Sequence, residues 1–180
     1  MKELPELDQY RPNVGMCVIN REGLVWLGKR NVSPSDEKRF PHLWQMPQGG
    51  MDKGETPTET AFRELYEETG IRSARLLMMT PGWLVYEFPS DHKARKKDRW
   101  RGQRQKWALI LFEGDDSEID LKAVPPQEFS DWRWTPLSEI SDKIVPFKRG
   151  VYDALIDCFT PLVSYIADQE KARRAAPVEL

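Results

Sequence analysis

The sequence predicts an α/β fold, in which helices pack against a β-sheet. Three observations indicate it: a short helix with explicit start and stop signals, several apolar runs of strand length, and an amphipathic helix near the C-terminus. With 39% hydrophobic and 11% aromatic residues, the 180-residue chain can bury a sizeable core. We therefore expect a single soluble domain over residues 1–167, followed by a flexible, charged tail over residues 168–180.

The first predicted element is a β-hairpin. Residues 14–20 (VGMCVIN) and 24–30 (LVWLGKR) are apolar runs that flank a turn containing Gly23. Residues 31–42 follow the hairpin, are polar and contain two prolines, so they predict a surface loop.

The most clearly bounded element is a helix near the middle of the first half of the chain. Thr56 is a favourable N-cap and Pro57 suits the first helical position. Glu59 completes a capping box with Thr56, and Gly70 is a typical residue just past a helix end.

Three acidic side chains share one face of this helix. Glu64, Glu67 and Glu68 stand at positions i, i+3 and i+4, where side chains lie one above the other. Two interpretations are open: a solvated acidic face, or a set of carboxylate ligands for a hard divalent cation. The cation would offset the repulsion between these like charges.

Further strands are predicted after the helix. Residues 74–79 and 83–88 are apolar and are separated by a Pro-Gly turn, and residues 105–113 (QKWALILFE) read as a central strand. Residues 115–122 predict a loop with a short strand, and the alternation of Trp132 with Trp134 predicts a strand with one packed face.

The C-terminal part of the chain is predicted to be helical. Residues 137–142 indicate a short helix, and Val151, Leu155 and Phe159 have the spacing of a helix that packs on the sheet. Pro161 is expected to kink or end that helix.

Composition excludes several classes of function. A net charge of −2 is no bulk signature of nucleic-acid binding, although residues 91–104 hold seven Lys or Arg residues around Trp100. That segment is either a path for single-stranded RNA or a solvated loop. Cys17 and Cys158 are expected to be buried small hydrophobes in a reduced cell, and no run resembles a signal peptide or membrane span, so a cytoplasmic location is expected.

Residues 49–71 (GGMDKGETPTETAFRELYEETGI) resemble the Nudix box, the signature of a family of metal-dependent hydrolases. The matching positions are Gly49, Glu55, Arg63, Glu64, Glu67, Glu68 and Gly70. The resemblance implies an α/β/α sandwich with a mixed β-sheet. It also implies cleavage of substrates in which a nucleoside diphosphate is linked to another group.

The resemblance further implies a metal site and a catalytic set. Two or three Mg²⁺ or Mn²⁺ ions are expected, bound by the carbonyl of Gly50 and by the carboxylates of Glu64, Glu67, Glu68 and Glu128. Glu128 comes from outside the box, and without the resemblance it would read as an ordinary loop residue. Glu128 and Glu64 are the two leading candidates for the general base.

Four more segments, YRPNVG, WQMPQGG, GQRQKW and VPFKR, resemble the bacterial RNA pyrophosphohydrolase branch of the family. The substrate-binding residues implied are Arg11, Arg30, Tyr86, Gln105, Lys106, Phe147 and Lys148. Each has a plainer alternative: surface charge for the arginines, a core tyrosine for Tyr86, and packing at a helix entry for Phe147 and Lys148. Gln48 is expected either to touch substrate or to position the backbone.

Three functions follow as hypotheses. The leading one is removal of pyrophosphate from the 5′-triphosphate end of RNA. The second is hydrolysis of dinucleoside polyphosphates such as diadenosine tetraphosphate by the same site, and the third is a non-catalytic nucleotide or RNA sensor. The intact acidic positions favour an enzyme, and no membrane or obligate protein partner is indicated.

Overall fold

A computed structural model describes residues 7–34, 42–90 and 100–176 of the chain. The strands are β1 (Tyr10–Ile19), β2 (Leu24–Arg30), β3 (Trp44–Gln45), β4 (Gln48–Gly50), β5 (Ala74–Met79), β6 (Leu84–Glu87), β7 (Gly102–Phe112) and β8 (Phe129–Pro136). The α-helices are α1 (Pro57–Thr69), α2 (Ile140–Lys143) and α3 (Arg149–Ala175). Short 3₁₀ turns precede β1, α2 and α3.

The strands form one mixed sheet. Its order is β3-β2-β1-β7-β5, while β4 pairs with β1, β6 with β7 and β8 with β2. β1 and β7 run parallel from the Tyr10–Gly102 pair to the Ile19–Leu111 pair, and the other pairings are antiparallel. This parallel pair lies in the middle of the sheet, where it joins the N-terminal hairpin to strands from the second half of the chain.

Helices cover both faces of the sheet, and each encloses its own core. On one face, Leu155 and Phe159 of α3 belong to a buried cluster with Trp107 of β7. On the other face, Ala61 and Leu65 of α1 belong to a second cluster, shared with β1 and β7. Neighbouring residues along β7 alternate between the two clusters, as side chains in a strand do. The α/β/α sandwich with a mixed sheet is confirmed.

The predicted boundaries of α1 are confirmed. The Glu59 amide donates to the Thr56 hydroxyl at 3.3 Å, and the Thr56 amide donates to the Glu59 carboxylate at 2.8 Å. Gly70 ends the helix with φ of 76°, a left-handed conformation that favours glycine. Its amide donates to the Tyr66 carbonyl. Both ends of α1 are therefore fixed by local sequence.

The hairpin and the later strands also lie where the sequence predicted them. Two other predictions are wrong: a short strand within residues 115–122, and burial of Cys158. No strand forms within residues 115–122, where a 3₁₀ turn spans Asp116–Glu118 because the Asp115 side chain accepts the Ser117 amide and caps it. Cys17 is buried as expected, but Cys158 is exposed because it lies on α3 away from the face that packs on the sheet. Most of the predicted loop at residues 31–42 lies outside the described residues.

Helix α3 continues beyond the position where the tail was predicted to begin. Pro161 lies inside the helix, which runs on to Ala175, so residues 168–175 are helical. The Glu170 side chain is only 7% exposed and accepts hydrogen bonds from Arg173 and Arg174, and Arg174 also pairs with Glu22 in the β1–β2 turn. These contacts hold the end of the helix against the hairpin. Among the described residues, no helix has the length and apolar character needed to span a membrane.

The Glu170 cluster predicts an acid-sensitive contribution to stability. Hydrogen bonds from Arg173 and Arg174 lower the pKa of Glu170 to about 2. Because the folded pKa lies below the unfolded value of about 4.3, the contribution is complete above that value and is lost as the pH falls toward 2. We expect the Tm difference between the wild type and Glu170→Gln to shrink between about pH 5 and pH 2. Thermal unfolding across that range measures it, and a constant difference would contradict it.

Candidate active site

The acidic helix lies against strand β4, and a glycine makes this close approach possible. Gly49 pairs with Val14 of β1 and faces the Glu64 side chain of α1. A Cβ atom added to Gly49 would overlap the Glu64 carboxylate. The Glu64 side chain is 14% exposed, and burial raises its pKa. Glycine at position 49 therefore lets a carboxylate pack on the backbone of β4.

Arg63 connects several groups of the acidic segment, residues 49–71, through hydrogen bonds. Its guanidinium donates to both Glu55 oxygens, from Nε at 2.6 Å and from Nη2 at 2.8 Å. Nη1 donates to Glu64 at 2.8 Å and to Glu67 at 3.3 Å, and Nη2 also donates to the Gly50 carbonyl at 3.0 Å. Hydrogen bonds from Arg63 lower the pKa of Glu55 to about 2. The loop before α1 is thus fixed to the helix by one side chain.

Glu68 is the carboxylate most affected by its surroundings. Its carboxylate accepts a hydrogen bond from the backbone amide of Gln48 at 3.0 Å. Burial raises the pKa of Glu68 well above its usual range, and the negative charge of Glu128 raises it further. Glu128, which is distant in sequence, is therefore brought close enough to Glu68 for the two charges to repel each other. A nearby positive charge would stabilise this pair.

Glu128 also lies beside a predicted phosphate ligand. Its carboxylate is 3.8 Å from Nε of Arg30, and both side chains are about half exposed. The backbone carbonyl of Glu128 accepts the Asn31 amide at 2.7 Å, which fixes the start of β8 against the end of β2. The Arg30–Glu128 pair at this solvent-accessible edge is of the kind that contributes little to stability.

A buried lysine reaches the same region from the start of α3. Lys148 is 7% exposed, and its ammonium donates to the Gln48 side chain at 3.1 Å. Burial lowers the pKa of Lys148 to about 7, and the nearby charge of Arg30 contributes in the same direction, while Glu68 and Glu128 oppose it. The site therefore holds a cation and two acids together.

A network of buried amide side chains supports Gln48. The Gln105 amide donates to Asn13 at 2.7 Å, to Gln48 at 3.2 Å and to Gln103 at 3.2 Å. Sequence reasoning missed Asn13 and Gln103. The sequence did contain a signal for Gln103, because Gln103 and Gln105 alternate at the start of a strand whose later part is apolar. Buried polar groups of this kind need partners, which they find in one another.

Tyr86 and Phe147 lie together next to Lys148. The two rings are 5.7 Å apart, and the Lys148 ammonium is 5.4 Å from the Tyr86 ring centroid. Tyr86 is 6% exposed, and its hydroxyl donates to Gln103 at 2.7 Å. This burial matches the core alternative for Tyr86, while contact with a base remains a prediction.

The remaining predicted substrate residues divide between the two faces of the sheet. Arg11 lies near Gly50, where an added Cβ would be 2.6 Å from the guanidinium. Gln105 and Lys106, predicted together on the substrate side, instead point to opposite faces because they are neighbours in a strand. Residues 91–99 of the predicted basic loop lie outside the described residues, and Trp100 packs against the core next to α3.

The donor atoms of the acidic segment fit a hard divalent cation in their chemistry. All of them are oxygens, from the Gly50 carbonyl and the predicted carboxylates, and Mg²⁺ and Mn²⁺ prefer such ligands. Arg63 donates to three of these groups, Gly50, Glu64 and Glu67. Within the described parts of the chain, no three acidic, histidine or cysteine side chains are arranged as a ready-made metal site. A cation at this position would therefore compete with Arg63.

The fold and the acidic segment together define the class of protein. Residues 9–155 match the family described as the NUDIX domain, so the chain belongs to the Nudix family. The resemblance identified in residues 49–71 is confirmed.

Two relatives with similar sequences are RNA pyrophosphohydrolases. The chain is 50% identical over 159 residues to an RNA pyrophosphohydrolase of Rhizobium meliloti, covering 86% of this chain and 95% of the relative. It is 49% identical over 158 residues to an RNA pyrophosphohydrolase of Rhodopseudomonas palustris, covering 85% and 93%. The resemblance to this branch is confirmed.

Solved structures share the fold at low sequence identity. An Ap4A hydrolase of C. elegans has a TM-score of 0.57 and 18% identity, and the match covers 84% of this chain and 98% of that one. The dihydroneopterin triphosphate pyrophosphohydrolase of E. coli has a TM-score of 0.60 and 16% identity, covering 82% and 97%. These likenesses establish the fold alone.

Proposed function

We propose that this Nudix hydrolase removes pyrophosphate from the 5′-triphosphate end of RNA and leaves a 5′-monophosphate. The observation that carries the proposal is the buried Lys148 ammonium in the charge environment of Glu68 and Glu128. A cation beside acids suits a substrate that brings its own negative phosphates and arrives with metal ions. About 50% identity to named RNA pyrophosphohydrolases supports the same activity.

In the proposed reaction, the oxygen of a water molecule bonds to the phosphorus nearest the RNA, and the bond to the departing pyrophosphate breaks. Two or three Mg²⁺ or Mn²⁺ ions, held by Gly50, Glu64, Glu67, Glu68 and Glu128, would neutralise phosphate oxygens and make bound water more acidic. Glu128 or Glu64 takes the proton of the attacking water. A general base must lie within hydrogen-bond reach of the proton that it takes. Glu128 lies near Glu68, and Glu64 lies against β4, so both are next to the proposed metal ligands.

Other residues of the site would bind and orient the substrate. Lys148, Arg30 and Arg11 provide positive charge for the phosphate chain, and Phe147 beside Tyr86 provides an aromatic surface for the first base. The side-chain oxygen of Gln48 accepts hydrogen bonds from the Lys148 ammonium and from the Gln105 amide, which holds Lys148 in position. In this proposal the cations bind the phosphate chain, and the carboxylates hold the metal ions and take the proton. Processing of RNA ends in this way would place the enzyme in mRNA decay in the cytoplasm.

A second candidate is hydrolysis of dinucleoside polyphosphates. The fold resembles that of an Ap4A hydrolase. A dinucleoside polyphosphate, like the end of an RNA, presents a nucleoside on a phosphate chain, so the same site could accept it. The two functions are separated by comparing kcat/KM for a short triphosphorylated RNA and for diadenosine tetraphosphate at equal Mg²⁺. A preference of about tenfold or more for the dinucleotide, close to 1.4 kcal/mol, would reverse our order.

The third candidate, a non-catalytic sensor, has a simple test. We expect the wild type to release pyrophosphate from triphosphorylated RNA with Mg²⁺ and to stop when a chelator removes the ion. Binding of nucleotides without release of phosphate from any substrate of a panel would favour the sensor instead.

The lowered pKa of Lys148 predicts a pH-dependent KM. Below pH 7 the ammonium is charged and attracts phosphate, whereas above pH 7 an increasing fraction is neutral in the free enzyme. We expect KM for triphosphorylated RNA to rise several-fold between about pH 6.5 and pH 8.5 in the wild type. In Lys148→Arg the rise should be smaller because arginine stays protonated. Equal pH profiles for the two proteins would show that Lys148 does not set KM.

A further inference from the structure

A second cluster of positive and aromatic side chains lies on the other face of β7, away from the amide network. Trp83, in the turn between β5 and β6, has two cations over its ring. The Arg104 guanidinium is 5.1 Å and the Lys106 ammonium 5.6 Å from the ring centroid. Arg104 and Lys106 are two residues apart in β7, so they point to the same face. We call Trp83, Arg104 and Lys106 the tryptophan platform.

The two cations of the tryptophan platform have no acidic partner among residues 7–34, 42–90 and 100–176. Within the described parts of the chain, Lys106 donates only to the backbone carbonyls of Thr80 at 3.1 Å and Pro81 at 2.7 Å. One of its three N–H groups therefore remains available there. Arg104 Nε is buried and has no hydrogen-bond partner among the residues that the structure describes. Two neighbouring positive charges repel each other, and a bound phosphate would relieve that repulsion.

The platform is near the acidic helix and on the same face of the sheet. Arg104 pairs with Pro12 in β1, and the carbonyl of Pro12 accepts the Met51 amide just after β4. Two strand spacings, about 10 Å, therefore separate the backbone of Arg104 from that of the acidic segment. Ala108, two residues beyond Lys106, belongs to the same core as Leu65 of α1. The proposed function places the first base beside Phe147 and Tyr86 on the opposite face of the sheet. An RNA cut beside α1 would pass to the α1 face after that base and reach the platform within a few nucleotides.

We propose that the tryptophan platform binds the single-stranded part of the RNA that follows the reacting 5′ end. This inference rests on the proposed function. The Trp83 ring would stack on a base, and Arg104 and Lys106 would contact the flanking phosphates. An indole with two cations beside it is suited to RNA of any sequence, because every base has a face for stacking and every linkage carries a negative charge.

The test compares a two-nucleotide RNA with an RNA of about twelve nucleotides, a length within the range that one single-strand binding site covers. Both carry a 5′-monophosphate, so that binding is measured without turnover. Trp83→Ala is expected to raise Kd for the longer RNA at least about fivefold more than for the short one, since loss of one stacked base costs that factor or more. Arg75→Gln, which removes an arginine paired with Glu113 in β5, is the matched control.

A second variant keeps the inference testable if Trp83→Ala folds poorly. Arg104→Gln should reduce the slope of log Kd against log salt by about 0.7 for the longer RNA, the value for one phosphate contact to a single strand. Equal changes in Kd for both RNA lengths, or no change in either, would overturn the platform as an RNA site. A wild type that binds neither RNA and releases no pyrophosphate from triphosphorylated RNA would overturn the proposed function itself, and the inference with it.

Discussion

Replacement of Glu68 by glutamine is expected to lower kcat at least about a hundredfold, the scale seen when a ligand or acid–base residue is lost. The variant should nevertheless fold as well as the wild type. Burial and the charge of Glu128 raise the pKa of Glu68, which means that the charged carboxylate is unfavourable in the metal-free protein. The glutamine side chain is neutral and of similar size, so it removes that cost. Its oxygen can still accept the hydrogen bond from the backbone amide of Gln48.

The measurement pairs single-turnover kinetics with thermal unfolding in the absence of metal. We expect Glu68→Gln to combine a large loss of rate with an unchanged or higher Tm. Glu113→Gln, which removes an exposed carboxylate paired with Arg75, should have near-normal kcat. A Glu68→Gln protein with near-normal turnover would refute the role assigned to this carboxylate.

Substitution of Gly49 by alanine is expected to abolish most of the activity without unfolding the protein. The added methyl group would overlap the Glu64 carboxylate. Since the overlapping atoms are the end of a flexible side chain, Glu64 can turn away at small cost to stability. It would then lose its 2.8 Å hydrogen bond with Arg63 and its place beside β4. A displacement of about 1 Å at a catalytic group can lower the rate about a hundredfold.

A second glycine provides the control for this substitution. Gly150 lies in α3, and an added Cβ would meet no atom within 4 Å. Gly150→Ala should keep kcat near that of the wild type and slightly raise Tm, because alanine is favoured over glycine inside a helix. If Gly49→Ala matched Gly150→Ala in kcat, the position of Glu64 against β4 would be unimportant for the reaction.

Local sequence was sufficient for the acidic helix and for most of the sheet. The capping box at Thr56 and the left-handed Gly70 depend on contacts within a few residues, so their signals are complete in the sequence. The tail was predicted less well. Residues 168–175 are polar. They are held in α3 by ion pairs within the helix at Glu170 and by the contact of Arg174 with the distant Glu22.

The sequence by itself determined the helix that carries Glu64, Glu67 and Glu68 and, through its resemblance to a family, the class of chemistry. Only the tertiary structure decided which distant groups meet there. Lys148 contacts Gln48 from 100 residues away, and Gln105 contacts Asn13 from 92 residues away. The physical reason is that the parallel pairing of β1 with β7 and the packing of α3 set these distances, and neither follows from local patterns of polarity.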